Sequence, residues 1–130
     1  MKVVRKSGRK DTASSPRLLD TEQLVRRIAE LAADKKAVDI VALDIRKTST
    51  LTDYFVIMSG TSEMQVRAIA TSVKETLKKE NVRSIGADGT VAGHWIVIDY
   101  GDVIVHIFRD DTRAFYDLEG LWADSPKLEL

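Results

Sequence analysis

A single α/β domain, with a mixed β-sheet flanked by helices, is the fold class this sequence predicts. Three observations carry it. The chain has 130 residues, one domain by length. Apolar residues first recur with helical spacing, then in short β-branched runs, then helically again, and finally in two runs that read as a hairpin. The run Tyr54-Phe55-Val56-Ile57-Met58 is apolar almost without a break, the pattern of a strand buried on both faces. Strands that first alternate with helices and then pair as a hairpin give a mixed sheet.

The elements follow in order. Asp20 is placed to cap a first helix, and Gln23 three residues on completes a capping box. Leu24, Ile28, Leu31 and Ala32 share one face of it, with Val25 beside them. Val38 to Ile45 reads as a strand and Arg46 to Leu51 as a polar loop. After the strand Tyr54–Met58, Ser59-Gly60-Thr61 is expected to turn the chain into a long helix. Ser62 is its N-cap and Gln65 the reciprocal partner. Val66, Ile69, Ala70, Val73 and Leu77 form its buried stripe, and Lys74, Lys78 and Lys79 suit its C-terminal dipole. A short strand is expected near Val82–Ile85 and a loop at Gly86-Ala87-Asp88-Gly89. The hairpin and a terminal helical segment from about Asp111 to Leu121 complete the domain.

Charge divides the chain. Residues 1–17 hold six Lys/Arg and one Asp, a net of +5; residues 18–130 hold fourteen Lys/Arg and nineteen Asp/Glu, a net of −5. The organisation expected is a flexible basic tail over 1–17, the folded domain over 18–122 and a C-terminal tail over 123–130. The basic tail reads either as a polybasic arm for RNA or as a solvated leader; a transit peptide is a weaker reading, because no amphipathic pattern is present. An acidic domain suits a basic protein partner better than bare nucleic acid. With no cysteine, disulfide and thiolate chemistry are excluded. No apolar run approaches the ~20 residues of a membrane helix.

Alternation sorts the hairpin side chains. With a two-residue turn at Tyr100-Gly101 or Gly101-Asp102, one face carries His94, Ile96, Ile98, Val103, Val105 and Ile107, and is the core face. The other carries Trp95, Val97, Asp99, Asp102, Ile104 and His106. An aromatic among charges on a half-exposed sheet reads as a partner anchor. The competing reading covers this face with the first helix or the terminal segment and makes Trp95 core. Tyr100 at the turn is a second candidate, and Asp53 completes the candidate set.

Chemistry finds little support. At ~3.3 Å per residue, Asp102 and His106 lie roughly 13 Å apart along one strand, too far to share a metal. Ser59-Gly60-Thr61-Ser62 before a helix has the form of an anion cradle. However, the paired carboxylates that a nucleotidyltransferase places on the following strand are missing from Val82–Ile85. Asp88 stands alone, and Asp99 and Asp102 have the wrong spacing. There is no nucleophile elbow, P-loop lysine motif or dinucleotide fingerprint. No enzyme activity and no cofactor are expected.

Three ordered blocks carry a resemblance: Thr52 to Ala70, the hairpin Gly93 to Phe108, and Arg113-Ala114-Phe115-Tyr116-Asp117-Leu118-Glu119-Gly120-Leu121-Trp122. Together they resemble the ribosomal silencing factor (Iojap) family over most of residues 21–122. The resemblance implies a nucleotidyltransferase-like topology without the catalytic acids. It implies a non-enzymatic protein of the bacterial cytoplasm that docks on the large ribosomal subunit, chiefly on its ribosomal protein numbered fourteen. Joining of the small subunit is then blocked sterically when nutrients run short. It further implies a homodimer when free and a part in large-subunit maturation. It favours the anchor reading of Trp95, with Asp99, Tyr100, Asp102, Asp53 and His106 as the other partner-facing residues. The alternative is a small nucleotide-binding or nucleotidyltransferase-like enzyme.

Overall fold

The computed structural model describes residues 19–130; the basic leader lies outside them. Helix α1 (Thr21–Asp34) begins on Asp20, whose side chain accepts from the Gln23 N–H while the Gln23 side chain accepts from the Asp20 N–H. The capping box is formed as expected. Asp20→Ala removes one half of it and should lower the unfolding free energy by about 1 kcal/mol, read as a shift in the urea midpoint at unchanged slope.

Strands β1 (Val38–Asp44) and β2 (Tyr54–Gly60) pair antiparallel, with a register irregularity between Val38 and Val41. Asp39 takes the left-handed backbone there, φ 51°, a conformation its short polar side chain tolerates. Every residue of β2 is buried. The strand runs through Ser59 and Gly60, so the expected turn begins later. Helix α2 (Glu63–Lys79) starts on Ser62, whose hydroxyl accepts from the Gln65 N–H. The reciprocal half is different from the expectation. Gln65 Oε1 accepts from the backbone N–H and hydroxyl of Thr61, and its amide donates to the carbonyls of Lys35 and Lys36. The side chain thereby ties the start of α2 to the end of α1.

Beyond α2, strand β3 occupies Gly86–Asp88 rather than Val82–Ile85. Val82 is held instead as the helix leaves, its N–H donating to the Leu77 carbonyl and its side chain joining the core. Strands β4 (Trp95–Asp99) and β5 (Val103–Arg109) form the hairpin, with Tyr100 N–H on the Val103 carbonyl. The two central residues are Gly101 and Asp102. Gly101 has φ 91°, the positive value that the first central position of a type II′ turn requires. Gly89, φ 80°, lets the chain pass Trp95: a Cβ there would lie 2.0 Å from the Trp95 carbonyl oxygen.

The sheet order is β3-β4-β5-β2-β1-β6, with β2 and β5 parallel and all other pairs antiparallel. Strand β6 (Lys127–Leu128) returns from the expected C-terminal tail to pair with Ala42 and Leu43. The expected terminal helix is two short ones, α3 (Asp110–Tyr116) and α4 (Leu118–Leu121), broken at Asp117, whose left-handed backbone ends one and starts the other. Helices α1 and α2 cover one sheet face and bury the main core with Ile96, Ile98, Val103, Val105 and Ile107. A second, smaller core lies on the opposite face: Leu43, Ile45, Phe55, Ile57, Ile104 and Phe108, against which Trp95, Val97, Leu118 and Trp122 pack.

Candidate functional site

The alternation of the hairpin gave the correct aliphatic face, but its other face is not open. It is roofed by the segment α3–α4 and by Trp122. Trp95, at the start of β4, is half-buried and stacks on Phe108 at 4.7 Å between ring centres. Its indole N–H donates to His106 Nδ1 at 3.1 Å. Phe55 meets His106 edge-on at 4.8 Å and Trp122 edge-on at 5.4 Å. Tyr116 lies over Trp95 at 5.1 Å. Six rings thus form one cluster: Phe55, Trp95, His106, Phe108, Tyr116 and Trp122. Offset and edge-to-face pairs of this kind add stabilisation beyond their buried area.

Burial corrects the expectation of an exposed set. His106 is only 7% exposed, and burial pushes its pKa down to about 4, so the ring is neutral near pH 7. Since its Nδ1 accepts from Trp95, the proton sits on Nε2, which is buried and has no partner. Tyr100 points into the main core, because it shares the parity of Ile96 and Ile98, and burial raises its phenol pKa. Asp102 is fully buried and does not share the Trp95 face. At the turn its carboxylate swings toward α1 and accepts from the Thr21 hydroxyl at 2.5 Å. Asp99 is half-exposed and accepts from the Gly101 N–H, fixing the turn. Asp53, also half-exposed, gives its N–H to the Asp102 carbonyl. Of the six expected residues, Trp95, Asp99 and Asp53 keep surface; Tyr100, Asp102 and His106 hold the scaffold in this conformation.

The surface that remains is apolar and was not singled out from the sequence. Phe115 is 79% exposed, Tyr116 53% and Leu121 77%. Phe115 meets Tyr116 edge-on at 5.0 Å. Phe115, Tyr116 and Trp95 thus make a continuous aromatic ridge over the second face, and Leu121 adds exposed apolar surface in the same segment. The signal was present in Phe115-Tyr116 and Leu121-Trp122, where four apolar residues exceed what a short amphipathic segment needs for one buried stripe.

A cleft of about 400 Å³ opens where the parallel strands β2 and β5 end. Carboxyl ends of parallel strands are where α/β sheets commonly take ligands. Here Asp39, Asp110, Asp117 and Glu119 line it against one cation, Arg113. That guanidinium is already engaged: it pairs with Glu119 through Nε and Nη2, at 2.9 and 3.1 Å, and donates from Nη1 to Ser59 Oγ at 2.7 Å. Arg113 keeps the Glu119 carboxylate below its ordinary pKa. The Thr61 N–H, which would serve a phosphate, is taken by Gln65. A negatively lined cleft with its arginine neutralised disfavours a phosphate ligand. Among the described residues, no three of His, Cys, Asp and Glu gather as a metal site.

Comparison with known proteins agrees with this geometry. The family model described as "Ribosomal silencing factor during starvation" matches residues 19–130. The ribosomal silencing factor of Halalkalibacterium halodurans is 38% identical over 112 residues, which is 86% of this chain and 96% of that protein. A mouse protein named for mitochondrial assembly of the ribosomal large subunit is 32% identical over 98 residues, 73% of this chain and 43% of its own length. A crystal structure of a Chromobacterium violaceum protein superimposes with a TM-score of 0.79 at 34% identity, covering 81% of this chain and 88% of that one. A family match over the whole described domain, with a relative 38% identical along nearly its full length and the same fold in a solved structure, places this chain in the ribosomal silencing factor family.

Proposed function

We propose that the protein binds the large ribosomal subunit and prevents the small subunit from joining it, lowering translation when nutrients are scarce. The observation that carries this reading is the exposed ridge of Trp95, Tyr116, Phe115 and Leu121 on an acidic domain. Large exposed apolar patches mark protein contacts, and rings of this kind supply most of the energy of many interfaces. The domain's net of −5 over residues 18–130 directs it to a basic partner, for which the large-subunit ribosomal protein numbered fourteen is the proposed candidate. Asp99 and Asp53 flank the hairpin and are placed to set register against Lys or Arg. Blocking of joining by occupancy alone requires no chemistry, in keeping with the acidic, phosphate-averse cleft.

The same ridge is the proposed contact between two copies when no ribosome is present, and the proposed setting is the bacterial cytoplasm. The basic segment 1–17 adds a salt-dependent attraction to ribosomal RNA; its deletion should leave the melting temperature unchanged and reduce the salt dependence of binding.

Subunit joining tests the central proposal. Purified protein is mixed with large subunits, small subunits are added, magnesium is raised, and the particles are resolved on a sucrose gradient. The protein should travel with free large subunits and the joined peak should shrink in proportion to its occupancy. Unchanged joining at saturating protein would overturn the proposal. Phe115→Ala with Leu121→Ala, both more than three-quarters exposed, should weaken binding at least tenfold with near-normal melting.

A further inference from the structure

We infer that the C-terminal segment, residues 110–128, is a strap that lifts from the second sheet face when the partner binds, so that Phe55, His106 and Phe108 join Trp95 in the contact. This rests on the proposed docking at the aromatic ridge and names what lies beneath it. The occupant is the basic surface of the large-subunit protein that the ridge meets first, argued from its complementarity to the net of −5 over residues 18–130.

Three independent features point to a roof built to open. Its two helices are short and seated shallowly. Neither α3 nor α4 contains a buried residue, and neither has a side-chain hydrogen bond at its N-cap. The far end is held by the register pairs Ala42 with Leu128 and Leu43 with Lys127, by the Asp44 N–H on the Pro126 carbonyl, by Arg26 on the Glu129 carbonyl and by Leu128 against the main core. Between the ends, half-buried Leu118 and Trp122 pack on the second core, Tyr116 lies on Trp95, and Arg113, braced within the strap by Glu119, donates to Ser59 Oγ and to the Val38 carbonyl.

What lies beneath is the second feature. His106 Nε2–H is buried with no acceptor. A donor in that state costs free energy that an open conformation recovers, whether water or a partner's carbonyl oxygen accepts from it. The third feature is continuity. Tyr116 of the strap sits on Trp95, and Trp95 stacks on Phe108, so the strap's own exposed rings lead through Trp95 to the rings it covers. A partner side chain that displaces Tyr116 from Trp95 arrives directly over Phe108 and His106. The sheet below does not have to move, because β4 and β5 are held by ladders on both sides. Segments that shift on binding come from the less stable parts of a fold, and the strap, with no buried residue in either helix, is one such part.

The chain contains no cysteine, so a single engineered disulfide is unambiguous. Ala42→Cys with Leu128→Cys joins directly paired residues of β1 and β6, a separation within the range that a disulfide spans. It pins the free end of the strap. Two measurements are made on the full chain, oxidised and reduced. Hydrogen exchange reads the strap without any ribosome: amides of 113–122 should exchange at least a hundredfold faster than those of β2 and β5, and oxidation should slow them at least tenfold. Binding to purified large subunits should fall at least tenfold on oxidation and return on reduction. Strap amides that exchange as slowly as β2 and β5 would overturn the inference whatever the ribosome does. Equal binding of the oxidised and reduced forms would overturn it as well. Fast, oxidation-sensitive exchange with no binding by the reduced or the unmodified protein upholds a strap that opens, and places the failure in the docking proposal.

Discussion

Phe108→Ala should lower the unfolding free energy by about 3–5 kcal/mol, one of the largest losses available on the second face. Phe108 is fully buried at the end of the central strand β5, between Ser59 on β2 and Trp95 on β4. Its ring supports the Trp95 indole and stacks near His106 at 6.2 Å. Truncation leaves a void that neither neighbouring strand can close, since both are fixed by their ladders. Part of the loss is the apolar transfer free energy and part is the cavity. Phe108→Leu fills most of the space and should cost about 1–1.5 kcal/mol. Urea unfolding checks both: the midpoint should fall with the slope unchanged. A loss below about 1 kcal/mol for Phe108→Ala would show that the second cluster is not a packed core.

That second core is where the sequence was least legible. The main core was readable because it obeys simple periods. Leu24, Ile28, Leu31 and Ala32 recur helically, Val66 to Leu77 do the same, and Ile96, Ile98, Val103, Val105 and Ile107 alternate. All are buried together. Both helix starts were readable because a cap is a local bond between residues three apart. The β3 placement was not, because Gly86-Ala87-Asp88 has no strand propensity; it pairs only because β4 offers an edge, a tertiary effect that overrides local preference.

The candidate site shows the same division. Alternation put Trp95, Val97, Ile104 and His106 on one face, and they lie there. What covers that face is the segment that follows β5 directly, folded back through a left-handed residue at Asp117. No period announces such a return. Turn residues were misplaced for a related reason: parity fails where a strand ends. Asp102 leaves the alternation at the turn and is captured by Thr21, 81 positions earlier. The exposed ridge was written in the same aromatic residues that carried the family resemblance, but its exposure depends on which side the short helices present, and that is set by the Arg113 latch to β2.

Acidification from pH 6.5 to 4 should lower the stability of the native protein by about 3 kcal/mol through His106 alone. Burial favours the neutral imidazole and moves its pKa from 6.5 down to about 4. Below pH 6.5 the unfolded chain takes up a proton that the folded chain refuses, so unfolding gains. The stability contributed is fully present above the unfolded pKa, declines through this window and levels off below about 4. The arginine-paired carboxylates Asp44, Glu80, Asp111 and Glu119 have depressed pKa values. Their contribution is present above the ordinary carboxylate range and declines as pH falls through it, so the lower end of this interval carries a carboxylate loss too, and the histidine is isolated as the difference between the native protein and a variant without it. His106→Gln keeps an acceptor for the Trp95 indole and removes the titration. Urea midpoints at successive pH values should fall from pH 6.5 downward for the native protein, whereas those of His106→Gln should hold until the carboxylate range is reached and fall less in total. Parallel declines in the two proteins would show that His106 is already solvated in the folded state, with the roof above it open.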